Sequence, residues 1–169
     1  MKITGIALMM TVSVMIANYM GGRVQRRVAL LEKLILMIKR IKTYIEYEKL
    51  PLLQIMAKLE NDDSLSELSF VSEMGRHIRK GEDFFNSWCN SVNEYGRSRG
   101  LDKSDAVLLC DFAQVLGNSD VKGQLENCET YISIIDSRLD SLRPKAKSNL
   151  KVCNAVGILV GSFLAIILI

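Results

Sequence analysis

Cysteine, histidine and paired acidic side chains are the residues of this sequence that could do chemistry, as nucleophiles, metal ligands or proton carriers. The cysteines form no C-x-x-C pair. The one histidine, His77, has no cysteine within eleven residues on either side. We therefore expect reduced cysteines that pack as small core residues, and no metal site or thiol catalysis. The four cysteines are Cys89, Cys110, Cys128 and Cys153.

Two pairs of adjacent carboxylates, Asp62-Asp63 and Glu82-Asp83, have the residue type that acid–base catalysis uses. Both pairs fall at predicted helix boundaries, where acidic side chains interact favourably with the helix dipole, so we interpret them as caps. A nucleotide-binding P-loop requires lysine after its second glycine, whereas Gly117 to Gly123 is followed by Gln124. The sequence thus predicts a protein that is not an enzyme and binds no cofactor or small-molecule substrate.

Both ends of the sequence are apolar and uncharged, over residues 3–22 and 152–169. As helices they would be roughly 30 Å and 27 Å long, which matches the hydrocarbon thickness of a bilayer. We predict transmembrane helices at residues 1–22 and 152–169, flanking a helical domain of residues 23–151. The alternative for the first segment, a cleaved signal peptide, is disfavoured because Arg23, Arg26 and Arg27 follow it directly.

Basic residues lie mainly between the two predicted spans. Residues 23–151 hold 21 of the 22 Lys and Arg residues. This bias predicts that residues 23–151 face the cytoplasm and that both termini lie outside. Residues 23–42 and 138–151, the basic collar, carry 12 basic and 2 acidic side chains; residues 43–137, the acidic body, carry 9 and 17. We expect the collar to lie near membrane lipid, although topology alone explains most of the bias. The net charge of +3 is too small to indicate nucleic acid binding.

Apolar residues recur at steps of three and four between the spans, which predicts an all-α fold, an antiparallel bundle of about six helices. Pro144 follows the last apolar stripe and predicts a kink or break before the second span. The first two predicted helices cover residues 24–48 and 51–60. The third ends at Gly81, and the fourth runs from Phe85 to Tyr95. The fifth begins near Asp102 or Ser104 and ends at Gly117, and the sixth is capped near Asp120 and has an apolar stripe from Leu125 to Leu142.

Gly157 and Gly161 form a G-x-x-x-G pair in the second predicted span. Glycines at this spacing let two helix backbones approach closely. Ser13, Ala17 and Gly21 place small residues four apart on the first span. Packing of the two spans within one chain is favoured over a dimer, and oligomerisation stays open.

Three residue clusters, together with the length and the two terminal spans, make the whole chain resemble the stage III sporulation protein AB family. This family is in turn similar to a cytoplasmic helical domain of the F-type platform proteins of type II secretion and type IV pilus machines. The clusters are Ile45-Glu46-Tyr47 with Pro51-Leu52, Lys80-Gly81 with Trp88, and Leu116-Gly117 with Asp120 and Gln124.

The resemblance implies a non-enzymatic scaffold or platform subunit of a secretion-like channel complex in the mother cell, needed for endospore development. It further implies a location in the mother-cell membrane, with partners among the proteins of that complex, including its secretion-type ATPase. A generic membrane-anchored adaptor, or a small channel subunit unrelated to sporulation, is the alternative.

The signature residues of the resemblance also have ordinary structural explanations: Gly81 and Gly117 as helix stops, Asp120 as a cap and Trp88 as a core aromatic. Gln124 is polar near the start of the apolar stripe and is expected to bond a backbone group between helices. For partner docking, residues 61–67 are candidates, with Glu60, Asp62, Asp63 and Glu67 exposed and far from the collar. The basic line Arg26, Lys33 and Arg40, seven residues apart, is the second candidate.

Overall fold

A computed structural model shows six α-helices and one 3₁₀ turn, and no β-strand in the residues that it describes. It describes the backbone of residues 2–99 and 101–168, and the side chains of residues 22, 24–97, 101–146 and 148. The predicted all-α class is therefore confirmed. The helices are α1 (Lys2–Glu46), α2 (Leu52–Glu60), α3 (Phe70–Arg79), α4 (Phe84–Arg99), α5 (Lys103–Asn118) and α6 (Val121–Leu168), and the 3₁₀ turn is Asp63–Leu65.

The chain divides into two compact units, one of Met1–Val28 with Leu139–Ile169 and the other of Ala29–Arg138. In the first unit the described residues belong to α1 and α6. Among the residues that the structure describes, no helix combines the length and the apolarity that a membrane span needs. The side chains of residues 1–21 and 152–169 lie outside the described ones. The two predicted spans, their packing glycines Gly157 and Gly161, and the predicted domain limits therefore stay predictions.

The first and last helices are longer than the sequence predicted. α1 continues from the first predicted span into the predicted helix 24–48 and ends at Glu46, and α6 likewise continues into the second span. The six helices predicted for the bundle correspond to α1–α6, but the two terminal segments are not separate helices in the described backbone. A break at Pro144 is also wrong, because α6 continues through it. Proline removes one N–H donor, and helices can continue past a proline with a local distortion.

The second unit has an apolar core to which every helix contributes. On α1 the buried residues recur at the predicted steps of three and four. Leu34 and Met37 are buried, whereas Ile35 is only half-buried. Each fully buried aliphatic side chain contributes about 1.5–3 kcal/mol to folding. The buried α1 residues are Leu31, Leu34, Met37, Ile38, Ile41 and Ile45.

α4, α5 and α6 pack as antiparallel neighbours within this unit. Trp88 of α4 contacts Phe112 of α5 with their ring centroids 5.9 Å apart, and Phe84 lies beside Gly117 at the other end of α5. On α6, Tyr131 contacts the same Phe112 ring at 5.4 Å. An ion pair between Arg138 and Asp105 joins the start of α5 to the first half of α6. This arrangement is the antiparallel packing predicted for consecutive helices.

Candidate functional site

Trp88 lies at the centre of an aromatic cluster and is fully buried. Its ring centroid is 5.7 Å from that of Phe70 and 5.8 Å from that of Phe84. Such tilted or edge-to-face pairs stabilise a core beyond the area that they bury. Among the described side chains, Trp88 Nε1 and Ser87 Oγ are buried polar atoms without a hydrogen-bond partner. The structure therefore gives Trp88 a core position and no solvent-facing surface.

Gly117, Asp120 and Gln124 come together at the corner between α5 and α6. The Asp120 carboxylate accepts a hydrogen bond from the Gly123 N–H at 2.9 Å and so caps α6. Gln124 Nε2 donates to the Leu116 carbonyl at 3.0 Å and to the Ser119 carbonyl at 3.2 Å. The backbone bond expected of Gln124 and the cap expected of Asp120 are both confirmed. This corner satisfies carbonyl groups that the end of α5 leaves without helical partners.

Gly117 does not end its helix, because α5 continues to Asn118. A Cβ atom at Gly117 would lie 3.4 Å from Cδ1 of Phe84, which is an ordinary van der Waals distance. The expectation that this glycine is a helix stop is wrong. Gly117 lies in the last turn of α5, beside Phe84 of α4.

Gly81 ends α3 in the way that the sequence predicted. Its φ of +89° is a left-handed conformation that favours glycine. The Gly81 N–H donates to the Ile78 carbonyl, and the Glu82 N–H donates to that of His77, which together form a Schellman motif. α4 then begins at Phe84, and the Asp83 carboxylate accepts from the Asn86 N–H at 3.0 Å. Asp83 rather than Glu82 is thus the cap of α4.

Tyr47 and Pro51 are two exposed signature residues in the connection between α1 and α2. Tyr47 follows the last residue of α1 and is 75% exposed, and Pro51 precedes α2 as its N-cap residue. Leu53, in the first turn of α2, is 57% exposed. Between them, Lys49 has a φ of +50° and is the one non-glycine residue of the described backbone with positive φ. We call Tyr47, Pro51 and Leu53 the Tyr47 corner.

An open groove of about 570 Å³ lies between α1, α2 and the 3₁₀ turn. Lys58 Nζ lies 5.0 Å from the centroid of the Tyr44 ring and pairs with Glu48. Tyr47 follows Tyr44 by three residues, and Leu53 precedes Ala57 by one turn of α2, so the groove and the Tyr47 corner are neighbours. The residues that line it, here called the acidic groove, are Tyr44, Ala57, Lys58, Asn61, Asp62 and Asp63.

The 3₁₀ turn and its cap residue Asp62 contact residues of α1 that belong to the basic collar. Arg40 Nε lies 3.5 Å from a carboxylate oxygen of Asp62, and Lys33 Nζ donates to the Ser64 carbonyl at 2.8 Å. The Asp62 side chain is only 17% exposed, and the hydrogen bond from Ser64, helped by Arg40, lowers its pKa. The prediction that this turn is far from residues 23–42 is therefore wrong, because the charges of the two segments attract.

Glu60 is also not the free acid that the sequence predicted. Its two oxygens accept hydrogen bonds from Arg79 at 2.8 and 3.0 Å, and these bonds lower the Glu60 pKa. Of the four acids proposed for docking, only Asp63 and Glu67 are exposed. Spacing within the sequence could not identify Arg79 as a partner because it lies on another helix.

Two further polar contacts lie in the core and were not predicted. Asp105 is 1% exposed and pairs with Arg138. Asn127, also buried, donates to the Phe112 carbonyl at 3.1 Å. Asn127 could have been identified from its polar type beside the apolar stripe of α6, whereas no local pattern marks Asp105 as buried.

The thiols lie in apolar surroundings. Cys128 is buried, while Cys89 and Cys110 are half-buried on neighbouring helices and hydrogen-bond each other. Burial raises the pKa of Cys89 and of Cys128 to about 12. Cys153 lies outside the described side chains. Within the described part of the chain, no group of three His, Cys, Asp or Glu side chains is arranged to hold a metal ion.

A family model described as stage III sporulation protein AB (spore_III_AB) matches residues 2–169 of this chain. The chain belongs to the stage III sporulation protein AB family. It is thus a sporulation-associated protein. No curated protein and no solved structure matches it. Within this family member, Trp88 lies in the core, while the other signature residues lie at helix ends and in the connection between α1 and α2.

Proposed function

We propose that this chain is a non-enzymatic membrane platform subunit of the secretion-like complex that the mother cell assembles during endospore development. The family match over residues 2–169 carries the proposal. Two uncharged apolar ends and the basic residues beside them support attachment to the cell membrane with residues 23–151 in the cytoplasm. In this role the helical domain presents a surface to the complex's secretion-type ATPase.

Deletion of the gene in its spore-forming host tests this role. We expect sporulation to fail and to be restored by the full chain, but not by a chain that lacks residues 152–169. Transcription should be confined to the mother cell during engulfment. Constitutive expression in vegetative cells, with normal sporulation of the deletion strain, would contradict the proposal and favour a general adaptor.

Cysteine labelling tests the topology. Ser66 is exposed and follows the 3₁₀ turn, so Ser66→Cys, made after the native cysteines are replaced, offers an accessible thiol. In intact cells this thiol should resist an impermeant reagent and should react after the membrane is permeabilised. Labelling without permeabilisation would place the domain outside the cytoplasm and exclude contact with the ATPase.

A further inference from the structure

The exposed surface around Tyr47 combines apolar side chains and acidic charge. Residues 46–67 contain six acidic and two basic side chains, a net charge of −4 in a chain of net charge +3. Of these acids, Asp63 is exposed at the rim of the acidic groove. Leu53 of the Tyr47 corner and Ala57 of the acidic groove lie one turn apart on α2, so the two surfaces are continuous.

The groove already receives a cation from the chain itself. Lys58 lies over the Tyr44 ring and lines the same groove as Asp62 and Asp63. An aromatic face beside carboxylates is a favourable environment for a guanidinium group, which stacks on the ring and donates several hydrogen bonds to the acids. In this same position Lys58 also pairs with Glu48.

We infer that the Tyr47 corner and the acidic groove bind a basic segment of a partner protein, with an arginine in the groove and an apolar side chain against Tyr47 and Leu53. Charge complementarity identifies the partner surface as basic. The inference rests on the proposed function for the partner's identity, which is the secretion-type ATPase of the same complex. Exposed aromatic and apolar residues supply affinity at such interfaces, while rim charges increase the association rate.

Binding of the purified ATPase to the full chain in lipid nanodiscs tests the inference with two matched pairs of variants. Leu53→Ser is compared with Val107→Ser, because Val107 is similarly exposed at 61% but lies on α5. Asp63→Asn is compared with Asp111→Asn, which removes an exposed carboxylate from α5. The intrinsic fluorescence of Trp88, the one tryptophan, verifies that each variant is folded.

Leu53→Ser should weaken ATPase binding at least tenfold, and Asp63→Asn should slow association at low salt, with a smaller effect at high salt. The two α5 variants should bind like the unmodified chain. Equal binding by all four variants would show that this surface does not bind the ATPase, and it would leave the proposed function unaffected. If the unmodified chain does not bind the ATPase, the partner assignment fails and this inference fails with it, while membership of the family is unaffected.

Discussion

Gly81 and Gly117 are both glycines near helix ends, but only Gly81 has a backbone conformation that requires glycine. Gly81 has a φ of +89°, whereas a Cβ at Gly117 would meet Phe84 at 3.4 Å. Sequence alone gives the two the same interpretation. The difference lies in backbone dihedrals, which the residue type does not specify.

Alanine substitution separates the two glycines. Gly81→Ala should lower the free energy of unfolding by about 1–2 kcal/mol, because a side chain disfavours the left-handed conformation. Gly117→Ala should change it by less than about 0.5 kcal/mol, because alanine adds helix propensity and makes an ordinary contact. Urea unfolding of the full chain in detergent, followed by Trp88 fluorescence, measures both. Equal losses would contradict the distinction.

Gln124 joins two carbonyl groups at the α5–α6 corner, and its replacement by glutamate tests the role of its N–H donors. At neutral pH, Gln124→Glu places a carboxylate against the Leu116 and Ser119 carbonyl oxygens. We expect it to cost about 1–3 kcal/mol, the penalty for losing hydrogen bonds in a part-buried site. Part of this loss should return in acid, when the carboxyl group is protonated and donates again. Thermal melts at two pH values report it, and a loss independent of pH would argue against the assignment.

At the scale of elements, ion pairs join residues that lie on different helices. Arg138 and Asp105 connect α6 to α5, Arg79 and Glu60 connect α3 to the end of α2, and Lys42 and Glu129 connect α1 to α6. The surface pairs contribute little each, and the buried carboxylate of Asp105 depends on its partner.

Removal of Arg138 should therefore destabilise the protein more than removal of a surface charge. Arg138→Met leaves the Asp105 carboxylate buried without this cation, at a cost of about 3–5 kcal/mol. The double variant Asp105→Leu with Arg138→Met should recover much of that loss. Urea midpoints of the single and double variants measure the difference. If the double variant is as unstable as Arg138→Met, the ion pair is not the cause.

The Glu60–Arg79 pair makes the α2–α3 connection sensitive to acid. The pKa of Glu60 is lowered from its ordinary value of 4.5, so its stabilising contribution is present above that pH and is lost as the pH falls through the lower, folded value. Asp62 has the same sign, because its pKa is lowered from 3.8. Melting temperatures measured from about pH 6 down to about pH 3 should therefore decrease less steeply in Glu60→Gln than in the unmodified chain. Glu67→Gln, which changes an exposed acid, should leave the slope unchanged.

At the scale of the whole molecule, periodicity predicted the helices because one buried face imposes a spacing of three and four residues. Local signals also identified the Asp120 cap and the Gly81 stop, since caps depend on neighbours in the sequence. Contacts such as those of Lys33 and Arg40 with the 3₁₀ turn were not predictable in this way. They depend on how segments more than twenty residues apart meet, and charge blocks counted along the chain suggested the opposite placement.

Burial of the thiols gives a measure of global unfolding. Because the pKa of Cys128 is raised to about 12, few thiolates form near pH 8, and alkylation by iodoacetamide should be at least about tenfold slower in the folded chain than in urea. Cys89 should behave in the same way. Mass spectrometry of alkylated peptides after timed exposure gives the rates. Equal rates in the folded and unfolded chain would show that the thiols are accessible.

The packing of consecutive helices also determines how quickly this chain can fold. α2, α3, α4 and α5 each pack against the next helix in the sequence, so few of their contacts require closure of a long loop. Such a local topology is typical of proteins that fold in microseconds to milliseconds. During synthesis, α4 and α5 can pair as soon as both have left the ribosome, before α6 has emerged. The Phe112–Tyr131 contact and the Asp105–Arg138 ion pair then form last, and they complete the core only when the chain has been translated beyond Arg138.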